Sequence, residues 1–95
     1  MIYSKKGRRA RVPGGFFHLV EEKTRIKAHG YGHGDLIKLK DEFGFEWRGS
    51  AVRNSDNSVT YRFLTSLGKH LSGVANDPLV ILRDERGSTW KGFVG

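Results

Sequence analysis

Polar and apolar residues alternate with a period of two over much of the chain after residue 35, which is the pattern of β-strands that bury one face. Residues 36–49 and 79–92 share the motif L-x-x-L-[KR]-D-E-x-G-x-x-W-[KR]-G, with nine matching positions and no gap. Chance is a poor explanation for such a match. The two segments are interpreted as copies of one structural unit.

The shared motif predicts a β-hairpin. Aspartate favours the first position of a type I turn, and a glycine three residues later supplies the left-handed residue of a G1 bulge. Asp41 with Gly44, and Asp84 with Gly87, have this spacing. The resulting register predicts four facing pairs on the inner side: Leu39 with Trp47, Ile37 with Gly49, Leu82 with Trp90, and Val80 with Gly92.

A weaker third copy lies between these two. Thr65 and Gly68 mark its turn, and a polar run at residues 53–58 separates it from the first copy. Its register predicts two further pairs: Phe63 with Leu71, and Tyr61 with Gly73. Three successive hairpins give about six strands, and curling would hide the strand edges. The predicted fold class is all-β: a small SH3-like or OB-like barrel, or a curled meander, built from three repeated hairpins.

The first 35 residues carry weaker signals. Residues 1–15 are predicted to form a basic N-terminal arm or a first hairpin, and residues 16–95 a single small barrel domain. The apolar spacing of residues 16–28 fits either a helix or two strands, and strands are favoured because hairpins follow. The glycine-rich run at residues 29–35 is predicted to be a loop that enters the first clear strand.

The charge of the chain is distributed unevenly. The formal net charge is +7. Residues 1–27 contain eight bases and two acids, whereas residues 28–95 contain nine bases and eight acids. A basic terminal segment of this kind is typical of an arm that pairs with phosphates, or of a solvated tail that aids solubility. The polyanion hypothesis therefore depends mainly on the first part of the chain.

Composition excludes several classes of protein. The chain has no cysteine, which excludes disulfide frameworks, cysteine-type zinc fingers and thiol catalysis. No apolar run approaches the length of a membrane span, and no signal-peptide core follows Met1. His29 and His33 fall short of a closed metal site. We expect a cytoplasmic, soluble, non-catalytic protein with no cofactor, no metal and no membrane partner.

Several side chains are candidates for contact with a partner. Trp47 and Trp90 are expected in the core because they face leucines. Phe43 and Phe45 flank a turn, where they form an exposed patch or cover an open barrel end. Six bases are expected on the outer strand faces: Lys38, Lys40, Arg48, Arg62, Arg83 and Lys91. Lys38 should lie opposite Arg48, and Glu46 opposite Lys40, where it relieves their repulsion.

These features favour nonspecific, salt-dependent binding of DNA or RNA. The candidate nucleic-acid-binding residues are Lys5, Lys6, Arg8, Arg9, Arg11, Arg25, Lys27, Lys38, Arg48, Tyr31, Phe43 and Phe45. The alternative is an SH3-like protein–protein interaction module, or a small subunit or adaptor of a larger complex. The sequence leaves both the choice of partner and the oligomeric state open.

Overall fold

Eight antiparallel strands follow one another in chain order around a closed barrel, and the last strand pairs with the first. The structure is a computed structural model that describes residues 12–95. The strands are β1 (Gly14–Glu21), β2 (Lys27–His33), β3 (Leu36–Asp41), β4 (Glu46–Arg53), β5 (Val59–Leu64), β6 (His70–Ala75), β7 (Leu79–Asp84) and β8 (Thr89–Val94). Residues 12–95 contain no helix of the length and apolarity needed to cross a membrane.

The prediction of a small all-β barrel built from hairpins is confirmed. The three predicted hairpins are present, and β1 and β2, in the region where strands were favoured over a helix, form a fourth. The strands run up and down in sequence, whereas the OB-fold is a five-stranded Greek-key barrel. The predicted basic arm lies outside the described residues, apart from its last positions.

The barrel interior is filled by inward-facing side chains. Alternate residues on every strand point inward, so the period of two in the sequence becomes a single core. Tyr61 and Phe17 are the largest fully buried side chains. Trp47 and Trp90 are 7% and 5% exposed and meet edge to face with ring centroids 5.5 Å apart. Their predicted core position is confirmed.

The predicted register is also confirmed in the three hairpins for which it was derived. Leu39 pairs with Trp47, and Leu82 with Trp90. The remaining predicted pairs are Ile37 with Gly49, Val80 with Gly92, Phe63 with Leu71, and Tyr61 with Gly73. Turn chemistry and alternation together therefore determine which side chains point into the barrel.

The hairpin turns share one hydrogen-bonding scheme. Asp41 Oδ1 accepts the backbone N–H groups of Phe43 and Phe45, each at 2.9 Å. Thr65 Oγ1 and Asp84 Oδ1 accept the N–H groups two and four residues later in the same way. Glycines with φ of +81° to +87° complete these three turns: Gly44, Gly68 and Gly87.

The first hairpin uses different residues for the same purpose. Glu21 Oε1 accepts the N–H groups of Lys23 at 3.1 Å and Thr24 at 2.7 Å, and the Thr24 hydroxyl at 2.7 Å. Arg25, with φ of +64°, takes the left-handed position. Residues 16–28 therefore form strand, turn and strand. The predicted loop at residues 29–35 was wrong, because most of it belongs to β2.

Four glycines at equivalent inward positions bring neighbouring strands together. A β-carbon added to Gly30 would overlap the carbonyl oxygen of Lys38 on the next strand. The same overlap occurs at Gly49, Gly73 and Gly92 with the carbonyls of Arg62, Ile81 and His18. Glycine in a strand interior is typical of such close approaches and of barrel corners. The glycines of β2 are thus part of the sheet.

Candidate nucleic-acid interface

The outer surfaces of β1 and β2 carry an unusual run of rings. β1 contributes Phe16 and His18, and β2 contributes His29, Tyr31 and His33. The register places Phe16 beside Tyr31 and His18 beside His29. Ring centroids are 4.7 Å apart in the first pair, 6.5 Å in the second, and 5.5 Å between Tyr31 and His33. Phe16 and Tyr31 remain 59% and 54% exposed, so their rings are open to a partner.

The next strand places two lysines beside these rings. Lys38 on β3 lies next to Tyr31, and Lys40 lies next to His29. We define the β1–β3 face as six outward side chains: Phe16, His18, His29, Tyr31, Lys38 and Lys40. They line, with Gly30, a shallow groove of about 570 Å³ that has no acidic residue in its lining. The face combines aromatic rings with positive charge.

β4 extends this surface with one further base and one acid. Arg48 lies opposite Lys38, and Glu46 lies opposite Lys40, both as predicted. Glu46 Oε2 is 4.0 Å from the Lys40 ammonium, and Glu46 Oε1 is 3.9 Å from the Arg48 guanidinium. Among the described residues, Lys38 has no carboxylate within 4.0 Å. The local charge is therefore positive, with three bases against one acid.

The structure brings together three of the predicted site residues: Tyr31, Lys38 and Arg48 occupy neighbouring strands in one row. Arg25 lies in the first hairpin turn, and Lys27 starts β2 at the same end of the barrel. Both are exposed, but neither lines the groove. The remaining basic candidates, Lys5, Lys6, Arg8, Arg9 and Arg11, lie outside the described residues.

Phe43 and Phe45 do not belong to the β1–β3 face. Phe43 lies at the tip of the β3–β4 turn and is 76% exposed. Phe45 is 47% exposed, and its ring meets Trp47 edge to face at 5.7 Å. Phe45 therefore covers the indole near the turn end of the barrel. This contact favours a role in covering the open end of the barrel over a role in an exposed contact patch.

The predicted site residues did not include Phe16, His18 or His29, and Lys40 was expected only as one of the bases on the outer strand faces. Phe16 and His18 lie where strands were favoured over a helix but no register was derived, and His29 lies in the segment that was predicted to be a loop. The usable signal was the spacing of glycine in the repeat. Ala28 precedes Gly30 by two residues, as Trp47 precedes Gly49, and this would have aligned β2 with β4.

A second exposed surface lies between the β3–β4 and β5–β6 turns. A groove of about 790 Å³ is lined there by the apolar side chains of Phe45, Leu64 and Leu67, together with charged and polar residues. Leu67, like Phe43, is 76% exposed at a turn tip. Two exposed hydrophobic tips on adjacent hairpins are a feature of contact surfaces.

Groups with shifted pKa values lie away from the β1–β3 face. Hydrogen bonds from the Thr24 backbone and hydroxyl lower the pKa of Glu21. A hydrogen bond and the charge of Lys91, whose Nζ lies 2.6 Å from Glu22, lower the pKa of Glu22. Burial and the nearby Asp77 raise the pKa of Tyr61. These groups belong to turns and core.

Residues 12–95 contain no cluster of three His, Asp or Glu side chains that could hold a metal ion. His29 and His33 lie on one strand, separated by Tyr31 on the same face.

No protein family, curated protein or solved structure is found to match this chain.

Proposed function

We propose that this protein is a non-catalytic nucleic-acid-binding protein. Its β1–β3 face and the neighbouring Arg48 contact the ligand, and the basic segment of residues 1–11 adds phosphate contacts. The observation that carries the proposal is the β1–β3 face itself. It places exposed rings on one surface of the sheet directly beside two lysines, of which Lys40 is paired with Glu46 and Lys38 has no carboxylate within 4.0 Å among the described residues.

Charge favours a polyanion as the ligand. Lys38 and Arg48 lie opposite one another on adjacent strands, and like charges in facing positions destabilise a sheet. Glu46 relieves only part of this repulsion, because it lies beside Lys40 and Arg48. Phosphates bound along the row would neutralise the remaining charge and release counterions.

The basic segment reinforces the same surface. Residues 1–11 contain five bases and no acid. The described chain begins at Val12, and β1 starts at Gly14, two residues before Phe16. The segment is therefore joined to the barrel at the end of the strand that carries Phe16. Electrostatic contributions from the two regions are expected to add.

Sequence selectivity should be weak. Side chains that read base edges by bidentate contacts include arginine, lysine, asparagine and glutamine. The β1–β3 face contains no arginine, asparagine or glutamine, its two lysines are proposed to contact phosphates as point charges, and Arg48 is the one arginine among the proposed contacts of the described residues. Affinity should therefore depend on the number of phosphates and on salt more than on base order.

Fluorescence anisotropy with labelled DNA and RNA oligonucleotides tests the proposal. At about 50 mM salt the full chain should bind, and log K should fall linearly with log salt. Deleting residues 1–11 should lower the affinity and reduce the salt slope without abolishing binding, because the β1–β3 face remains. Absence of binding to DNA and RNA at this salt concentration would overturn the proposal.

A second candidate function is protein binding through the hairpin tips. The exposed Phe43 and Leu67 and the groove beside them support it. Replacing both residues with serine should abolish capture of a protein partner and leave oligonucleotide binding unchanged. If these replacements reduced oligonucleotide binding as strongly as changes on the β1–β3 face, the two surfaces would not have separate functions.

A further inference from the structure

We propose that the ligand of the β1–β3 face is a single strand, whose unpaired bases stack on Phe16 and Tyr31 while its phosphates lie over Lys38 and Lys40. This inference rests on the proposed function and specifies the form of nucleic acid that the face selects. The geometry that supports it is the order of side chains across the sheet.

Each row of the β1–β3 face begins with two rings and ends in a lysine. Across β1, β2 and β3 the first row is Phe16, Tyr31 and Lys38, and the second is His18, His29 and Lys40. Neighbouring β-strands are about 4.8 Å apart, so the backbones of β1 and β3 are about 10 Å apart. A single nucleic-acid strand that lies along β2 can place its nucleobases towards β1 and its phosphates towards β3.

Base pairing in a duplex would prevent the nucleobases from stacking on the rings of this face. In a duplex the faces of the bases are stacked on one another, and exposing one costs a few kcal/mol. In a single strand the base faces are available, and aromatic side chains stack on them with little regard to sequence. Exposed rings beside lysines therefore favour single strands, whereas lysines alone would bind either form.

The rings pack on one another in the protein without a ligand. The ring centroids of Phe16 and Tyr31 are 4.7 Å apart, and His33 packs edge to face on Tyr31 with ring centroids 5.5 Å apart. The backbone of Phe16 is hydrogen-bonded where the barrel closes. Its N–H donates to the Gly95 carbonyl at 3.0 Å, and the Gly95 N–H donates to the Phe16 carbonyl at 2.9 Å. Little side-chain freedom is lost on binding, which favours affinity.

The test compares an oligothymidine with ligands whose bases are absent or paired. An oligothymidine of about 12 nucleotides, within the range of known single-strand sites, is compared with an abasic strand of the same length and charge, and with a duplex of the same length, which carries about twice as many phosphates. The oligothymidine should bind about 5- to 150-fold more tightly than the abasic strand for each stacked base. It should also bind more tightly than the duplex, although the duplex has the higher charge.

Variants then assign the difference to the rings. Phe16→Ala and Tyr31→Ala should each lower affinity for oligothymidine and leave affinity for the abasic strand unchanged. Tyr31→Phe should retain wild-type affinity, because a phenyl ring still stacks. Phe43→Ala is the matched control, since it removes an exposed phenylalanine outside the β1–β3 face and should change neither affinity.

The outcomes separate this inference from the proposed function. If the abasic strand or the duplex bound at least as tightly as the oligothymidine and the ring variants had no effect, stacking would be excluded while phosphate binding stood. If none of the three nucleic-acid ligands bound, both proposals would fail. They would fail in the same way if the protein bound an acidic peptide but no nucleic acid. Photocrosslinking of the unmodified protein to a bromouridine-substituted strand gives a readout without variants. Adducts should map to Phe16 or Tyr31, and adducts confined to other aromatic residues would overturn the inference.

Discussion

Lys40 and Arg83 occupy equivalent positions in the second and fourth hairpins, and β3 and β7, which carry them, lie four strands apart on opposite sides of the eight-stranded barrel. Each precedes the aspartate that caps its turn. Both side chains are exposed, but only Lys40 lies beside rings. The repeat thus provides two chemically similar bases in different surroundings.

This equivalence allows a charge-matched test of the β1–β3 face. Lys40→Gln should weaken oligonucleotide binding about two- to fivefold, the size expected for one exposed ionic contact. Its salt slope should also fall by about 0.7–0.9 for the lost phosphate contact. Arg83→Gln removes the same charge from the opposite side and should have a smaller effect. Anisotropy titrations at several salt concentrations measure both quantities, and equal effects would indicate attraction without a defined site.

The close approach of β8 to β1 predicts a large loss of stability at Gly92. A β-carbon there would overlap the carbonyl oxygen of His18. Gly92→Ala should therefore lower the free energy of unfolding by about 1–3 kcal/mol, through strain where the barrel closes. Urea denaturation followed by fluorescence of the buried Trp47 and Trp90 measures this.

The control for Gly92 lies in the same hairpin. Gly87 has φ of +84° and open space around its α-carbon. Gly87→Asn should cost less than about 1 kcal/mol, because asparagine tolerates the left-handed conformation better than other side chains do. A larger loss for Gly87→Asn than for Gly92→Ala would contradict the role assigned to the strand glycines.

A buried phenol should make stability sensitive to alkaline pH. The Tyr61 hydroxyl donates a hydrogen bond to Asp77 Oδ1 at 3.1 Å, and Arg53 donates to Asp77 Oδ2 at 2.8 Å. Burial raises the pKa of Tyr61 above its ordinary value of 10.0. The folded state therefore retains a proton that the unfolded chain releases, and stability is lost as the pH rises above about 10.

The variant Tyr61→Phe tests both parts of this interaction. It should lower the free energy of unfolding at neutral pH by about 1–3 kcal/mol, because Asp77 loses a hydrogen-bond donor. It should also reduce the fall in stability above pH 10. Tyr31→Phe serves as the control, since that phenol is exposed and should change neither quantity. The measurement is the unfolding free energy from urea titrations at several pH values.

Acid should destabilise the first hairpin through Glu21. Hydrogen bonds from Thr24 lower the pKa of this carboxyl below its ordinary value of 4.5. Its contribution is complete above about pH 4.5 and is lost as the pH falls through the lowered pKa. Glu21→Gln should therefore lose less stability than the wild type between about pH 6 and pH 3. The control is Glu85→Gln, which lies at an exposed turn tip and should lose stability with falling pH as the wild type does. Thermal melting at each pH distinguishes the Glu21→Gln variant from this control.

Three hairpins could be predicted in detail because local chemistry and hydrophobic pattern agree in them. Asp41 and Asp84 each begin a turn that ends in glycine, and the alternation on both sides fixes which residues face inward. Agreement between turn chemistry and burial leaves one register, since a slip of one residue would expose the core. Thr65 satisfies the same scheme with a hydroxyl.

The first hairpin could be predicted only as two favoured strands, without a turn type or register, since its turn uses unusual residues. Arg25 adopts a left-handed conformation that the sequence gives no reason to expect, and Glu21 replaces the shorter aspartate. In β2, Gly30 and Gly32 suggested a loop, although both are needed where the backbone of β3 approaches. Tertiary contact decides these positions. Most of the candidate site lies on these two strands, which explains why Phe16 and His18 were missed.

The four equivalent hairpins separate the residues that build the barrel from those that give it a binding surface. Inward positions are constrained by packing in every hairpin, whereas most outward positions differ between the hairpins. Half a turn around the barrel, six outward positions correspond one to one with the β1–β3 face: Thr60, Arg62, Ser72, Val74, Ile81 and Arg83. Installing the rings and lysines there would place a second copy of the β1–β3 face on the opposite side of the barrel. The architecture therefore allows a surface to be duplicated without redesigning the core, and the proposed binding would become bivalent.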